Sequence, residues 1–116
     1  MKKSYIISAL ISILPIFSYA VEYKCPVIKK GDYSSMFNSE DNWYIYAIKL
    51  NGKPIYNFEI TKQPLWDDFN IETTEDNKSS LLFCSAMYPH GFVNTLRSVD
   101  KSNCRIDSIN KSFHCQ

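Results

Sequence analysis

Glycine is scarce in this sequence, with three residues in 116. Glycine-rich loops that cradle phosphates are therefore excluded, and neither a G-x-S-x-G nor an H-E-x-x-H motif is present. An excess of charge is also missing, since 13 Lys and Arg face 12 Asp and Glu. Nucleic-acid-binding domains normally carry a basic surface, so this balance argues against nucleic acid as a partner.

Long apolar runs are missing after residue 20, so no later segment has the length of a transmembrane helix. At the start of the chain, Lys2 and Lys3 precede an apolar segment at 5–17. The small residues Ser18 and Ala20 flank Tyr19, as at a signal-peptide cleavage site that follows Ala20. This pattern predicts a signal peptide at 1–20 and one mature domain at 21–116. We expect a secreted or periplasmic protein without stable membrane insertion after cleavage. The Lys-Lys start and the many Lys, Asn and Ile residues indicate a bacterial source.

Paired C-x2-C spacings are also absent, which argues against a zinc site built from cysteines. An even set of cysteines in an oxidising compartment instead predicts two disulfides among Cys25, Cys84, Cys104 and Cys115. Residues 104–115 have the pattern of a hairpin with a four-residue loop at 108–111, which places its two cysteines opposite each other. This favours Cys104–Cys115 with Cys25–Cys84. The alternative is Cys84–Cys104 with Cys25–Cys115.

The strongest strand signal is residues 43–60, where two runs rich in aromatic and β-branched residues flank Asn51-Gly52. This dipeptide favours a type I′ turn, so we expect a two-residue hairpin. Its core face would consist of Trp43, Ile45, Ala47, Tyr56, Phe58 and Ile60.

Other segments also favour strands. Residues 81–88 are nearly all apolar, which predicts a strand buried on both faces, and 69–72 is expected to be a short strand. Residues 92–99 fit either a strand or one helical turn, and we favour the strand. Residues 73–80 have the composition of a loop, and 29–41 is also expected to be loop-like, with a short helical turn at 33–37 as one option. Together these segments predict an all-β fold: a small antiparallel β-sandwich or partly open barrel with about six short strands, stapled by two disulfides.

Aromatic residues are unusually frequent, and 14 of the 17 in the whole chain fall in the mature region. The predicted hairpin exposes Tyr44 and Tyr46, and Trp66 lies in a segment that is expected to be a surface loop. Amphipathic rings are common at interfaces, so these three residues are the candidate binding residues. We therefore expect an exported interaction module that binds a protein or glycan partner. A virulence-associated protein would fall within this expectation.

Catalytic groups are few. Two histidines, His90 and His114, suggest a small secreted nuclease-like hydrolase as the alternative, because paired imidazoles can perform general acid–base catalysis. We favour the simpler interpretation, with His90 in a solvated turn and His114 pointing outward opposite Arg105. The sequence therefore predicts no catalytic residues, no metal site and no cofactor.

Short motifs in the mature region also resemble those of a family. The sequences YKCP at 23–26, FCSAMY at 83–88 and FHC at 113–115 are similar to segments of small exported bacterial proteins of uncharacterised function. The resemblance implies an exported, disulfide-bonded domain. It assigns no site residues.

Overall fold

The computed structural model describes most of the chain after the predicted signal peptide. The described residues are 20–34, 38–49, 51, 53, 55–88 and 91–116. The predicted signal peptide, apart from Ala20, and the candidate His90 lie outside these residues.

The described part of the chain is all β, with antiparallel strands throughout and no helix. None of its segments is therefore a helix that could span a membrane. The strands are β1 (Val21–Lys24), β2 (Gly31–Ser34), β3 (Asn38–Glu40), β4 (Trp43–Lys49), β5 (Asn57–Ile60), β6 (Asp68–Thr73), β7 (Ser80–Tyr88), β8 (Gly91–Val99), β9 (Cys104–Asp107) and β10 (Ser112–Cys115).

These strands form three sheets that are not closed into a barrel. The largest has the order β3-β4-β8-β7-β6, a second has the order β1-β10-β9, and a third pairs β2 with β5. The predicted all-β class with two disulfides is confirmed. The expected number of about six strands is too low, because segments that were predicted to be loops also form short paired strands.

The five-stranded sheet contains a tight hairpin that the sequence analysis missed. Asp41 and Asn42 connect β3 to β4, and both have positive φ angles, of 48° and 71°. A type I′ turn requires positive φ at both central residues, and Asp and Asn tolerate it better than most residues. The ladder then begins with Glu40 opposite Trp43.

The predicted hairpin at 43–60 is wrong. Strand β4 pairs with β3 on one side and with β8 on the other, which leaves no edge for β5. Near the predicted turn the Lys49 N–H donates to the Lys53 carbonyl at 2.8 Å, and β5 then pairs with β2. Leu50, Gly52 and Pro54 lie outside the described residues.

The predicted core face is confirmed at five of its six positions although the pairing is not. The side chains of β4 and β5 alternate between buried and more exposed, as the sequence pattern indicates. The exception is Tyr56, which is 89% exposed because it precedes β5 and is not part of that ladder. The expectation of a loop at 29–41 is also wrong, since β2 and β3 both fall within it.

The C-terminal hairpin is confirmed in detail. Strand β9 ends at Asp107, β10 begins at Ser112, and the register places Ile106 opposite Phe113 and Cys104 opposite Cys115. Both favoured disulfides are present, Cys104–Cys115 within this hairpin and Cys25–Cys84 between the segment after β1 and the centre of β7.

The two smaller sheets pack against one face of the five-stranded sheet. From the three-stranded sheet, Phe113 is fully buried, and its ring lies 6.3 Å from those of Trp43 and Phe69. From the two-stranded sheet, Phe58 packs edge-on against Tyr88 at the same centroid distance of 6.3 Å. The hydrophobic core therefore lies between the sheets, as in a sandwich.

Candidate functional site

The second face of the five-stranded sheet, here called the outer face, carries many apolar and aromatic side chains. Along β4, β7 and β8 the positions facing the core are buried except at Lys49, Tyr88 and Arg97, and the alternating positions between them are half-buried or exposed. The outer-face positions of these three strands carry no charged side chain. Their apolar and aromatic members are Tyr44, Tyr46, Ile48, Leu81, Phe83, Met87, Phe92 and Leu96.

Register arranges most of these side chains in two apolar rows, with one more polar row between them. Ile48 lies opposite Phe92, which lies opposite Met87, and the next apolar row runs from Tyr44 through Leu96 to Phe83. Phe92 is 37% and Met87 60% exposed, so the face is open to solvent at this end. Antiparallel sheets that face water usually show polar side chains there, and large apolar side chains exposed together on such a face are typical of an interaction site.

A polar row crosses the outer face between these two apolar rows. It runs from Tyr46 through Asn94 and Ser85 to Asp68 at the edge strand β6. The Ser85 hydroxyl donates to the Asn94 side-chain oxygen at 2.6 Å, which links the two polar side chains across the β7–β8 ladder. The row is therefore neutral across β4, β8 and β7, and its one carboxylate lies at the edge of the sheet.

The two predicted tyrosines lie side by side on the outer face. The ring centroids of Tyr44 and Tyr46 are 6.0 Å apart at an interplanar angle of 40°. Both side chains are half-buried, and burial, with a smaller contribution from Tyr44, raises the pKa of Tyr46. The structure thus places these two candidates together. Their role in binding stays a prediction.

Trp66, the third candidate, belongs to the core rather than to a surface loop. It is 7% exposed, and its indole N–H donates to the Pro26 carbonyl at 3.1 Å. Next to it, the Gln63 side chain bonds to both the N–H and the carbonyl of Ile28. The 61–67 segment therefore holds the chain that follows β1, and Trp66 is not available as a surface contact.

Trp66→Phe tests this structural role. We expect the substitution to lower the free energy of unfolding by about 1–3 kcal/mol, because the Pro26 carbonyl loses its donor in a buried site. Urea denaturation of the oxidised protein measures the loss. Tyr56→Phe is the control, since its side chain is almost fully exposed. An unchanged midpoint for Trp66→Phe would contradict the buried hydrogen bond.

A cleft of about 420 Å³ adjoins the outer face. It lies between the 61–67 segment and the end of β7, and its lining includes Leu65, Lys62 and Met87. Met87 also belongs to the outer face, and Leu65 is 85% exposed. The cleft therefore extends the apolar surface beyond the edge of the sheet.

A separate group of ionisable residues lies on the three-stranded sheet. His114 Nε2 is 3.0 Å from Asp107 Oδ2 and 3.8 Å from Glu22 Oε2. Hydrogen bonds from the side chain and backbone of Asn110, and one with His114, hold the pKa of Asp107 at about 2. His114 lies opposite Arg105 in the ladder, as predicted, but its imidazole contacts two carboxylates.

The structure brings His114 together with two carboxylates, and His90 lies outside the described residues. The hydrolase alternative therefore stays a prediction. Sequence reasoning also missed Phe83, Met87, Phe92 and Leu96 as surface residues. Residues 81–88 were expected to be buried on both faces, whereas their outer-face positions are half-buried or exposed. The nearly all-apolar run has no period-two polar pattern that could have identified its exposed side.

Comparisons with protein-family models, with curated proteins and with solved structures found no match for this chain.

Proposed function

We propose that this protein is an exported interaction module that binds a protein partner through the outer face. The observation that carries the proposal is the uncharged apolar surface across β4, β7 and β8, with Phe92 and Met87 exposed on it. Two intramolecular disulfides fit an oxidising compartment outside the cytoplasm. The signal-peptide pattern at 1–20 is consistent with the same location.

The chemistry of the outer face favours a neutral apolar protein surface as the partner. A nucleic acid requires Lys and Arg side chains to neutralise its phosphates, and the outer-face positions of these three strands have none. A glycan requires several polar groups beside its stacking rings, whereas the outer-face positions of these strands have few, and the Ser85 hydroxyl already donates to Asn94. Aromatic and Met side chains with few charges are typical of the core of a protein–protein interface.

Paired charge substitutions test the outer face. We expect Phe92→Asp and Met87→Asp to abolish partner capture from host or cell-envelope extracts, because each places a charge within an apolar contact. Ile109→Asp is the matched control, since Ile109 is 88% exposed in the turn between β9 and β10. Quantitative mass spectrometry of the captured proteins, with circular dichroism of each variant, measures the difference.

Tyr46→Ala refines the same test. Truncation of an aromatic anchor in an interface typically costs more than about 1 kcal/mol of binding free energy, so the affinity should fall by roughly fivefold or more. Equal capture by wild type and both outer-face Asp variants would overturn the proposal. So would binding to glycans alone. RNA hydrolysis by the wild type that is lost in His114→Ala would instead support the hydrolase.

A further inference from the structure

Three potential metal ligands from three strands meet on the solvent side of the three-stranded sheet. Glu22 on β1 lies directly opposite His114 on β10, and Asp107 at the end of β9 reaches the same imidazole. One nitrogen and two carboxylate oxygens from these residues all lie within 4.8 Å of one another. The three side chains are between 18% and 36% exposed, so solvent and ions can reach them.

The distances fit a small cation. In a tetrahedral zinc site with bonds of about 2.0–2.2 Å, neighbouring ligand atoms lie about 3.3–3.5 Å apart. The separations from His114 Nε2 are 3.0 Å to Asp107 and 3.8 Å to Glu22, which lie on either side of that value. The two carboxylate oxygens lie within 4.8 Å of each other, so the three ligand atoms are close enough to share one ion after the side chains adjust.

The backbone and neighbouring groups already orient the ligands. The Ser112 hydroxyl donates to Glu22 Oε2 at 2.9 Å, and the Asn110 side-chain amide donates to Asp107 Oδ2 at 2.8 Å. The Cys104–Cys115 disulfide fixes the β9–β10 hairpin, and β1 pairs with β10 along its whole length. Such supporting hydrogen bonds around carboxylate and imidazole ligands are typical of metal sites.

We propose that Glu22, Asp107 and His114 form a surface site for Zn²⁺ or a chemically similar divalent transition-metal cation. Imidazole together with carboxylates suits zinc and copper, whereas Ca²⁺ and Mg²⁺ prefer oxygen ligands alone. Three protein ligands leave a fourth tetrahedral position for water or for a group from a partner. The site is independent of the outer face, and it uses one of the two histidines of the chain.

Isothermal titration calorimetry of the oxidised, chelator-treated protein with ZnCl₂ tests the proposal. We expect one Zn²⁺ per chain and a rise in melting temperature with Zn²⁺, because an ion that binds the folded state stabilises it. Ser112→Ala should weaken binding about 10- to 100-fold, the usual effect of removing a supporting hydrogen bond. His114→Ala, which removes a ligand, should weaken it further. His90→Ala and Asp32→Asn, on β2, are the controls and should bind like the wild type.

Two further measurements distinguish a loss of zinc binding from misfolding of a variant. Circular dichroism checks each variant, and an NMR titration of the wild type follows the imidazole signals without any substitution. Zn²⁺ should shift the signals of one histidine, and the His90→Ala variant should retain that shift. No binding by the wild type up to about 1 mM Zn²⁺ would overturn the proposal. Equal binding by His114→Ala and the wild type would do the same.

Discussion

Phe113→Ala is expected to lower the free energy of unfolding by about 3–5 kcal/mol. The ring is fully buried between the three-stranded and five-stranded sheets, and it packs against Trp43 and Phe69. Removing it opens a cavity that rigid β ladders on both sides cannot fill by collapse. Small domains have about 5–15 kcal/mol of total stability, so this single change threatens the fold.

Urea denaturation with a constant m-value measures this loss. Ile106→Ala is the matched control, because Ile106 lies directly opposite Phe113 in the ladder and is 42% exposed. It should cost about 1 kcal/mol or less. Similar losses for the two variants would show that Phe113 does not join the two sheets as described.

Removal of the Cys25–Cys84 disulfide is expected to have an effect of similar size. The bridge closes a loop with a sequence separation of 59 residues, and the chain-entropy model then gives a contribution of about 4 kcal/mol. The double variant Cys25→Ala/Cys84→Ala should therefore be much less stable than the wild type. The loss arises mainly in the unfolded chain, which gains freedom when the bridge is absent.

The second disulfide supplies the comparison. Cys104 and Cys115 are 11 residues apart, so the same model gives about 3 kcal/mol for their bridge. Urea denaturation of the two double alanine variants under identical conditions ranks the bridges. A larger loss for Cys104→Ala/Cys115→Ala would contradict the entropic account, and it would indicate that local packing of the hairpin dominates.

Local features of this protein were predictable wherever the interacting groups are close in sequence. The β9–β10 hairpin is such a case, since its four-residue turn sets the register and the register brings Cys104 to Cys115. The other disulfide then follows, because only Cys25 and Cys84 remain. The alternation in β4 and in β5 likewise identified which side chains are buried before their partners were known.

Strand pairing over longer distances was not predictable in the same way. Asn51-Gly52 is a strong turn signal, yet the β4 edge that β5 would need is occupied by β8, about fifty residues later in the chain. The dipeptide Asp41-Asn42 has a lower turn propensity than Asn-Gly, and nevertheless it forms the hairpin between β3 and β4. A turn dipeptide favours a local backbone shape, and competition among all strands for the same hydrogen-bonding edges selects the pairing.

The candidate sites show the same contrast between features that depend on neighbouring residues and features that depend on distant strands. Tyr44 and Tyr46 share a face because side chains two apart in a strand point the same way, which sequence alone indicates. Trp66 is buried because its indole reaches Pro26, 40 residues earlier, and Glu22 meets His114 only because the first and last strands pair. Neither contact leaves a spacing pattern in the sequence.

By itself, therefore, the sequence determined the all-β class, both disulfides, the C-terminal hairpin and the inward side of β4 and β5. These features depend on period-two alternation, on turn chemistry and on an even cysteine count. Tertiary structure alone decided the ten-strand topology, the burial of Trp66, the open apolar outer face and the Glu22–Asp107–His114 cluster. Those features depend on which distant strands share hydrogen bonds and which surfaces remain uncovered, and both are properties of the assembled sheets.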